Sequence, residues 1–99
     1  MKQLDVCRRH GSGRLVLVWQ TDFLSHLETR FVIPLRPLAG APPPTLRLHP
    51  VVSVEDKQFV AQTHLAAGVD ALSLGPAIFN LAQHRDEIRD ALDFLTTGF

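Results

Sequence analysis

The residues best able to hold a metal or move a proton are the five histidines, at positions 10, 26, 49, 64 and 84. None falls in the HxxxH or HExxH spacing that sets two imidazoles on one helical face, so no metal site is expected. His26, Glu28 and Arg30 alternate and would lie on one face of a strand. A base, an acid and a cation so placed are what a metal-free ribonuclease needs to drive attack by the RNA's own 2′-hydroxyl; the same three would equally make a solvated strand edge. Cys7 carries no nucleophile signature and reads as a small core residue. Ser12, Ser25, Ser53 and Ser73 lack a GxSxG elbow and an adjacent base. Gly11-Ser12-Gly13 lacks the further glycines and the lysine of a phosphate-binding loop. No cofactor and no metal are expected from these residues.

The elements that would position these residues are mostly strands. Arg14 to Gln20 is an apolar, β-branched run bounded by Gly11-Ser12-Gly13 and Thr21-Asp22, and reads as a buried strand. Leu15, Leu17 and Trp19 would share one face and Val16 and Val18 the other, so both faces need cover. Leu4 and Val6 allow a shorter strand before it, joined through His10–Gly13. Arg30 to Ile33 is a further strand, which Pro34 should end, or else place at a sheet edge, because proline has no backbone donor. Pro37 to Pro44, with the triplet Pro42-Pro43-Pro44, follows an extended path too short to separate two domains.

Leu46, Leu48 and Val52–Val54, then Phe59–Thr63, flank the polar Glu55-Asp56-Lys57, a hairpin pattern placed at the centre of a sheet. Val69 to Leu74 reads as a strand broken by Gly75-Pro76, and Pro76 could open a short turn through Ile78, Phe79 and Leu81. The period then changes. Ile88, Ala91, Leu92 and Leu95 follow the i, i+3, i+4, i+7 rule of an amphipathic helix, with Asp86 and Glu87 at its positive end and Gly98 as its cap. The fold expected is mainly β with a carboxyl-terminal α-helix, a small barrel-like domain spanning residues 1–99.

Ten Lys and Arg balance ten Asp and Glu. A chain without basic excess is a poor phosphate-backbone binder, so direct nucleic-acid binding is not expected, while zero net charge raises no barrier to self-association. One cysteine precludes an intrachain disulfide and removes any need for an oxidising compartment. The amino terminus lacks the apolar stretch of a signal peptide, and no run approaches a membrane span; a cytoplasmic protein with no membrane contact is expected. At the other end, Phe94-Leu95-Thr96-Thr97-Gly98-Phe99 sets an aromatic residue on a helix tip, the kind of peg that anchors protein–protein contacts.

Several blocks in order, Arg14–Asp22, Arg30-Phe31-Val32-Ile33-Pro34-Leu35, Leu48-His49-Pro50-Val51-Val52 and His84–Leu92 followed by a Gly98-aromatic end, resemble the CcdB toxins of CcdA–CcdB toxin–antitoxin modules over nearly the whole chain. The resemblance implies an SH3-like small β-barrel that forms a homodimer. It implies a non-catalytic toxin of a type II module that binds the A subunit of DNA gyrase and traps the gyrase–DNA cleavage complex. It also implies a CcdA-like antitoxin that neutralises the toxin, the pair reaching nucleic acid only together, at operator DNA. The family's gyrase contact falls on Phe23 and Leu24 after the first long strand, on Asp86 and Asp93 of the helix, and on Thr97, Gly98 and Phe99. Thr97 stands where the family has a tryptophan, Asp93 where it has an asparagine, and Phe99 where it has an aliphatic residue. The MazF and Kid endoribonuclease toxins resemble CcdB in fold, which makes a metal-free ribonuclease the alternative reading.

Overall fold

A computed structural model describes residues 2–20, 27–41 and 47–98. Phe23, Leu24 and Phe99, singled out above, lie outside the described residues, as do His26 and the proline triplet.

The chain opens with an antiparallel hairpin of β1 (Asp5–Arg9) and β2 (Leu15–Val18), in which Val6 faces Leu17 and Cys7 faces Val16. The expected two-sided burial of β2 holds. Leu15 and Leu17 join a main core with Leu4, Val6, Ile33, Val52, Leu81 and Ile88, against which Trp19 packs. Val16 and Val18 join a smaller cluster with Cys7, Val32 and Leu74. Alternation along one short strand therefore feeds two apolar layers.

β3 (Thr29–Pro37) corrects the expectation that Pro34 ends the strand. The Trp19 N–H donates to the Phe31 carbonyl at 3.0 Å, and bonding to one neighbour alternates along an antiparallel pair. Pro34, opposite Val16, therefore turns its nitrogen away from β2. On that far side pairing with β6 (Ala67–Asp70) ends at Val32, and pairing with β5 (Lys57–Ala61) starts at Leu35. The missing donor falls in the gap between two partners, while the Pro34 carbonyl accepts from the Gln62 N–H at 2.9 Å. This exchange of partners curls the sheet into a half-barrel.

β4 (Val51–Val54) and β5 form the expected hairpin. Its turn is the two-residue Glu55-Asp56, whose φ values of 50° and 68° are those of a type I′ turn. With Leu74–Asn80 as β7, the hairpin sits at one end of the strand order β4-β5-β3-β2-β1-β7 rather than at its centre, and β5 pairs only with the second half of β3.

The single strand expected over Val69–Leu74 is two. β6 stops where the Asp70 carboxylate accepts from the Leu72 N–H at 2.9 Å and the Ser73 hydroxyl donates to the Asp70 carbonyl at 2.6 Å. This Asx-type turn competes with the ladder. β7 (Leu74–Asn80) then runs through Gly75-Pro76 instead of ending there. From Arg9↔Leu74 to Cys7↔Ala77, β7 advances three residues against two on β1, so the proline occupies a bulge on an edge strand, where it removes no ladder bond.

The helix α1 (Arg85–Thr97) packs Ile88 on the main core, and Ile88 and Ala91 are both fully buried. Burying Ile88 alone contributes about 2–3 kcal/mol. The architecture is thus mainly β with a carboxyl-terminal helix, and the main core lies between the sheet's concave face and α1.

Candidate functional site

Helical geometry decides what α1 offers to a partner. Asp86, Asp90, Asp93 and Thr97 recur at i, i+4, i+7 and i+11, which places them within about 60° of one another around the axis, opposite Ile88 and Ala91. All four are exposed. The structure thus gathers Asp86, Asp93 and Thr97 on one solvent face, Asp86 and Asp93 roughly 10 Å apart along the axis. The Asp86 carboxylate accepts from Arg89 at 2.6 Å one turn on.

The helix outruns its own core. Its buried side chains stop at Ala91, Leu92 still packs against the main cluster, and Leu95, though in apolar register, is 43% exposed. The final turn is closed by its own atoms. The Thr96 hydroxyl donates to the Leu92 carbonyl at 3.0 Å and the Thr97 hydroxyl to the Asp93 carbonyl at 2.6 Å. Gly98, at φ 78°, donates its N–H to the Phe94 carbonyl at 2.9 Å. Glycine reaches that left-handed conformation without the Cβ penalty any other residue would carry, as the sequence pattern anticipated.

One residue at this site had no signal in the sequence. Arg47 lies 43 positions before Asp90, yet its Nε and Nη2 donate to the Asp90 carboxylate at 3.3 and 3.4 Å. Its guanidinium carbon sits 4.8 Å from the centroid of the Phe94 ring.

Away from the helix, a groove of about 1700 Å³ runs along β3 between the β1–β2 and β4–β5 turns. Arg8, Arg9, Arg14, Arg36 and Lys57 line it with only Glu55 and Asp56 in opposition, over a floor that includes Val16, Val32, Leu35 and Phe59. Half the basic residues and a fifth of the acidic ones in a neutral chain make this face basic.

His49 and His64, dispersed in sequence, meet at the base of the β4–β5 hairpin, Nε2 to Nδ1 at 2.8 Å. Position 49 faces 62 if the hairpin pairing is extended from its two-residue turn, so the turn and its register were the signal for this pair. Burial, then the neighbouring His64, pushes the His49 pKa below 6.5. Among the described residues no three His, Cys, Asp or Glu converge as a metal site. Cys7 is fully buried, and burial, with Asp5 adding to it, raises its thiol pKa, which opposes formation of a nucleophilic thiolate.

Of the alternating His26, Glu28 and Arg30, the structure describes the last two. Glu28 precedes β3, and Arg30 Nη1 donates to the Thr29 carbonyl at 2.9 Å and to the Leu27 carbonyl, so the guanidinium is engaged with its own backbone.

Among the described residues no helix is long and apolar enough to cross a membrane. The fold is similar to that of the Mycobacterium tuberculosis toxin MazF-mt6, with a TM-score of 0.74, 17% identity, and 90% of this chain and 92% of that one covered. It is also similar to a mycobacterial endoribonuclease solved in complex with its cognate antitoxin, with a TM-score of 0.76, 15% identity, and 94% and 91% covered. No curated protein matches the sequence significantly. The sequence does match the CcdB protein family, over residues 3–98, and with every described strand and the whole of α1 inside that span, the chain belongs to the CcdB family of toxin–antitoxin toxins.

Proposed function

We propose that this protein is a toxin that binds the A subunit of DNA gyrase through the tip of α1 and holds the enzyme while its DNA is cut, catalysing nothing itself. The observation that carries the reading is the exposed, self-capped end of α1, which stands beyond the core with Asp93 and Thr97 on the same face as Asp86 of the first turn and with Gly98 as its cap. Phe23 and Leu24 complete the proposed contact, and a cytoplasmic homodimer presents two such tips to a twofold target. An apolar anchor at a desolvated contact contributes about 2 kcal/mol or more.

The test is binding of purified gyrase A subunit to the wild type and to Gly98→Glu, alongside accumulation of cleaved gyrase–DNA complex. A β-carbon at φ 78° disturbs the cap, and the added carboxylate meets the negative end of the helix dipole. Binding and cleavage-complex formation are expected for the wild type and a loss of both for the variant. Equal activity of the two would show that the tip is not the contact.

A cognate antitoxin of the CcdA kind is the second proposed partner, and its seat is the basic groove. The charge there, set against a neutral chain, suits an acidic disordered tail with apolar side chains for the floor, and a fold neighbour is recorded with its own antitoxin.

The MazF-like fold and the arginines of the groove favour one alternative, a metal-free endoribonuclease. It predicts cleavage of RNA by the purified protein, lost on Arg14→Ala or Arg36→Ala. Intact RNA beside accumulated gyrase–DNA adducts rules against it.

A further inference from the structure

We propose that Arg47 is a positioning residue that fixes the angle and order of the α1 tip, and so the presentation of its contact face; in its functional part this rests on the reading above. The last two turns have little else to hold them. Isolated helices as short as the 13 residues of α1 are marginal in water, no helix residue after Ala91 is buried, and the hydroxyl bonds of Thr96 and Thr97 are local to the helix.

Among the described residues, the Arg47–Asp90 pair is the only ion pair joining α1 to a distant part of the chain, the other two being i, i+3 pairs at the helix start, His84–Glu87 and Asp86–Arg89. Arg47 is itself anchored. Its neighbour Leu48 accepts at its carbonyl from the buried Thr63 hydroxyl, and Pro50, just beyond, accepts from the Ala61 N–H at 2.9 Å. The guanidinium thus links a segment pinned to the sheet with the helix at Asp90 and Phe94, which lie one turn apart on the flank of the contact face.

The chemistry requires arginine. A planar guanidinium can lie on an aromatic ring while its edge donates to a carboxylate, whereas a lysine ammonium is a point charge on a flexible stem. Each contact alone is weak at this exposure, because solvent screens the pair. Acting together on one turn they bias the tip toward a single orientation. Arg47 also neutralises the middle member of an acidic row, in which Asp86 and Asp90 at i, i+4 otherwise repel.

Amide hydrogen exchange in the full chain tests this, read together with affinity for purified gyrase A subunit. Arg47→Ala should lower protection of the amides from Leu95 to Gly98 by about three- to tenfold, leave the urea midpoint of the whole domain almost unchanged, and weaken gyrase binding by a similar factor. Arg47→Lys should recover only part of both losses. Unchanged tip protection in Arg47→Ala overturns the clamp, and so does full recovery by lysine. Unchanged gyrase affinity despite a loosened tip overturns its functional part. If the wild type itself fails to bind gyrase, the proposed target is wrong, and exchange at the tip still decides whether Arg47 orders it.

Discussion

His49 Nε2 and His64 Nδ1 face each other at 2.8 Å across the base of the β4–β5 hairpin, with ring centroids 4.8 Å apart and planes at 63°. The contact joins the segment entering β4 to the turn that follows β5. A hydrogen bond between two imidazoles needs one nitrogen to donate and one to accept, so the pair holds together only while at least one ring is neutral.

The folded state therefore favours neutral His49, whose pKa is lowered from 6.5 by burial and by His64. In the unfolded chain His49 titrates at its ordinary value, so between the two pKa values the unfolded state binds the extra proton. The contribution of the pair is full above pH ~6.5 and is lost as pH falls through the lowered folded value. Urea midpoints compared at pH 7.5 and pH 5 should drop less for His49→Gln than for the wild type. Equal drops would show that the pair does not couple folding to pH.

Asp56 occupies the left-handed region at φ 68°, the position that type I′ hairpins give to glycine. Asp56→Gly should raise stability by about 1 kcal/mol by relieving that strain, read as an increased thermal midpoint with unchanged circular dichroism. Because Asp56 also lines the basic groove, the same variant should bind an acidic antitoxin peptide at least as tightly as the wild type.

Ile88 is the helix's main anchor, fully buried in the cluster of Leu4, Val6, Leu17 and Leu81. Ile88→Ala should cost about 2–5 kcal/mol, the range for a large-to-small change that leaves a cavity. Chemical denaturation measures it, and Leu95→Ala, at a 43% exposed position, should cost less than half as much.

Thr97 is exposed at the end of the contact face, where the CcdB pattern has a tryptophan. Under the proposed function Thr97→Trp should tighten binding to the gyrase A subunit by roughly 30-fold or more, the equivalent of about 2 kcal/mol for an aromatic hot spot. Calorimetric titration of both proteins into gyrase A subunit tests this. No gain would mean that this homologue seats its partner by other residues.

Much of the local structure is written in the residues themselves. The alternation in Leu15–Val18 dictates two apolar faces, the polar pair Glu55-Asp56 a tight turn, the i, i+3, i+4 spacing of Ile88, Ala91 and Leu92 a helix on the core, and Gly98 its cap. Each depends on interactions between residues a few positions apart, which a local pattern records. The two prolines misled for the opposite reason. Pro34 and Pro76 stay within strands because the partner on the relevant side is absent or bulged, and a sequence window does not say which neighbour a backbone nitrogen will face.

The site divides along the same line. Once the CcdB resemblance had singled them out, Asp86, Asp93 and Thr97 could be placed on one helix face from spacing alone, since 3.6 residues per turn fixes their mutual orientation. Arg47 beside Asp90, His49 against His64, and the five cations around one groove come together only when distant strands pair. The sequence by itself determined elements, faces and caps, because those follow from backbone geometry and local burial. Tertiary structure alone decided which charges became neighbours in a chain whose overall balance is zero, because Coulomb interactions depend on distance through space and composition records none.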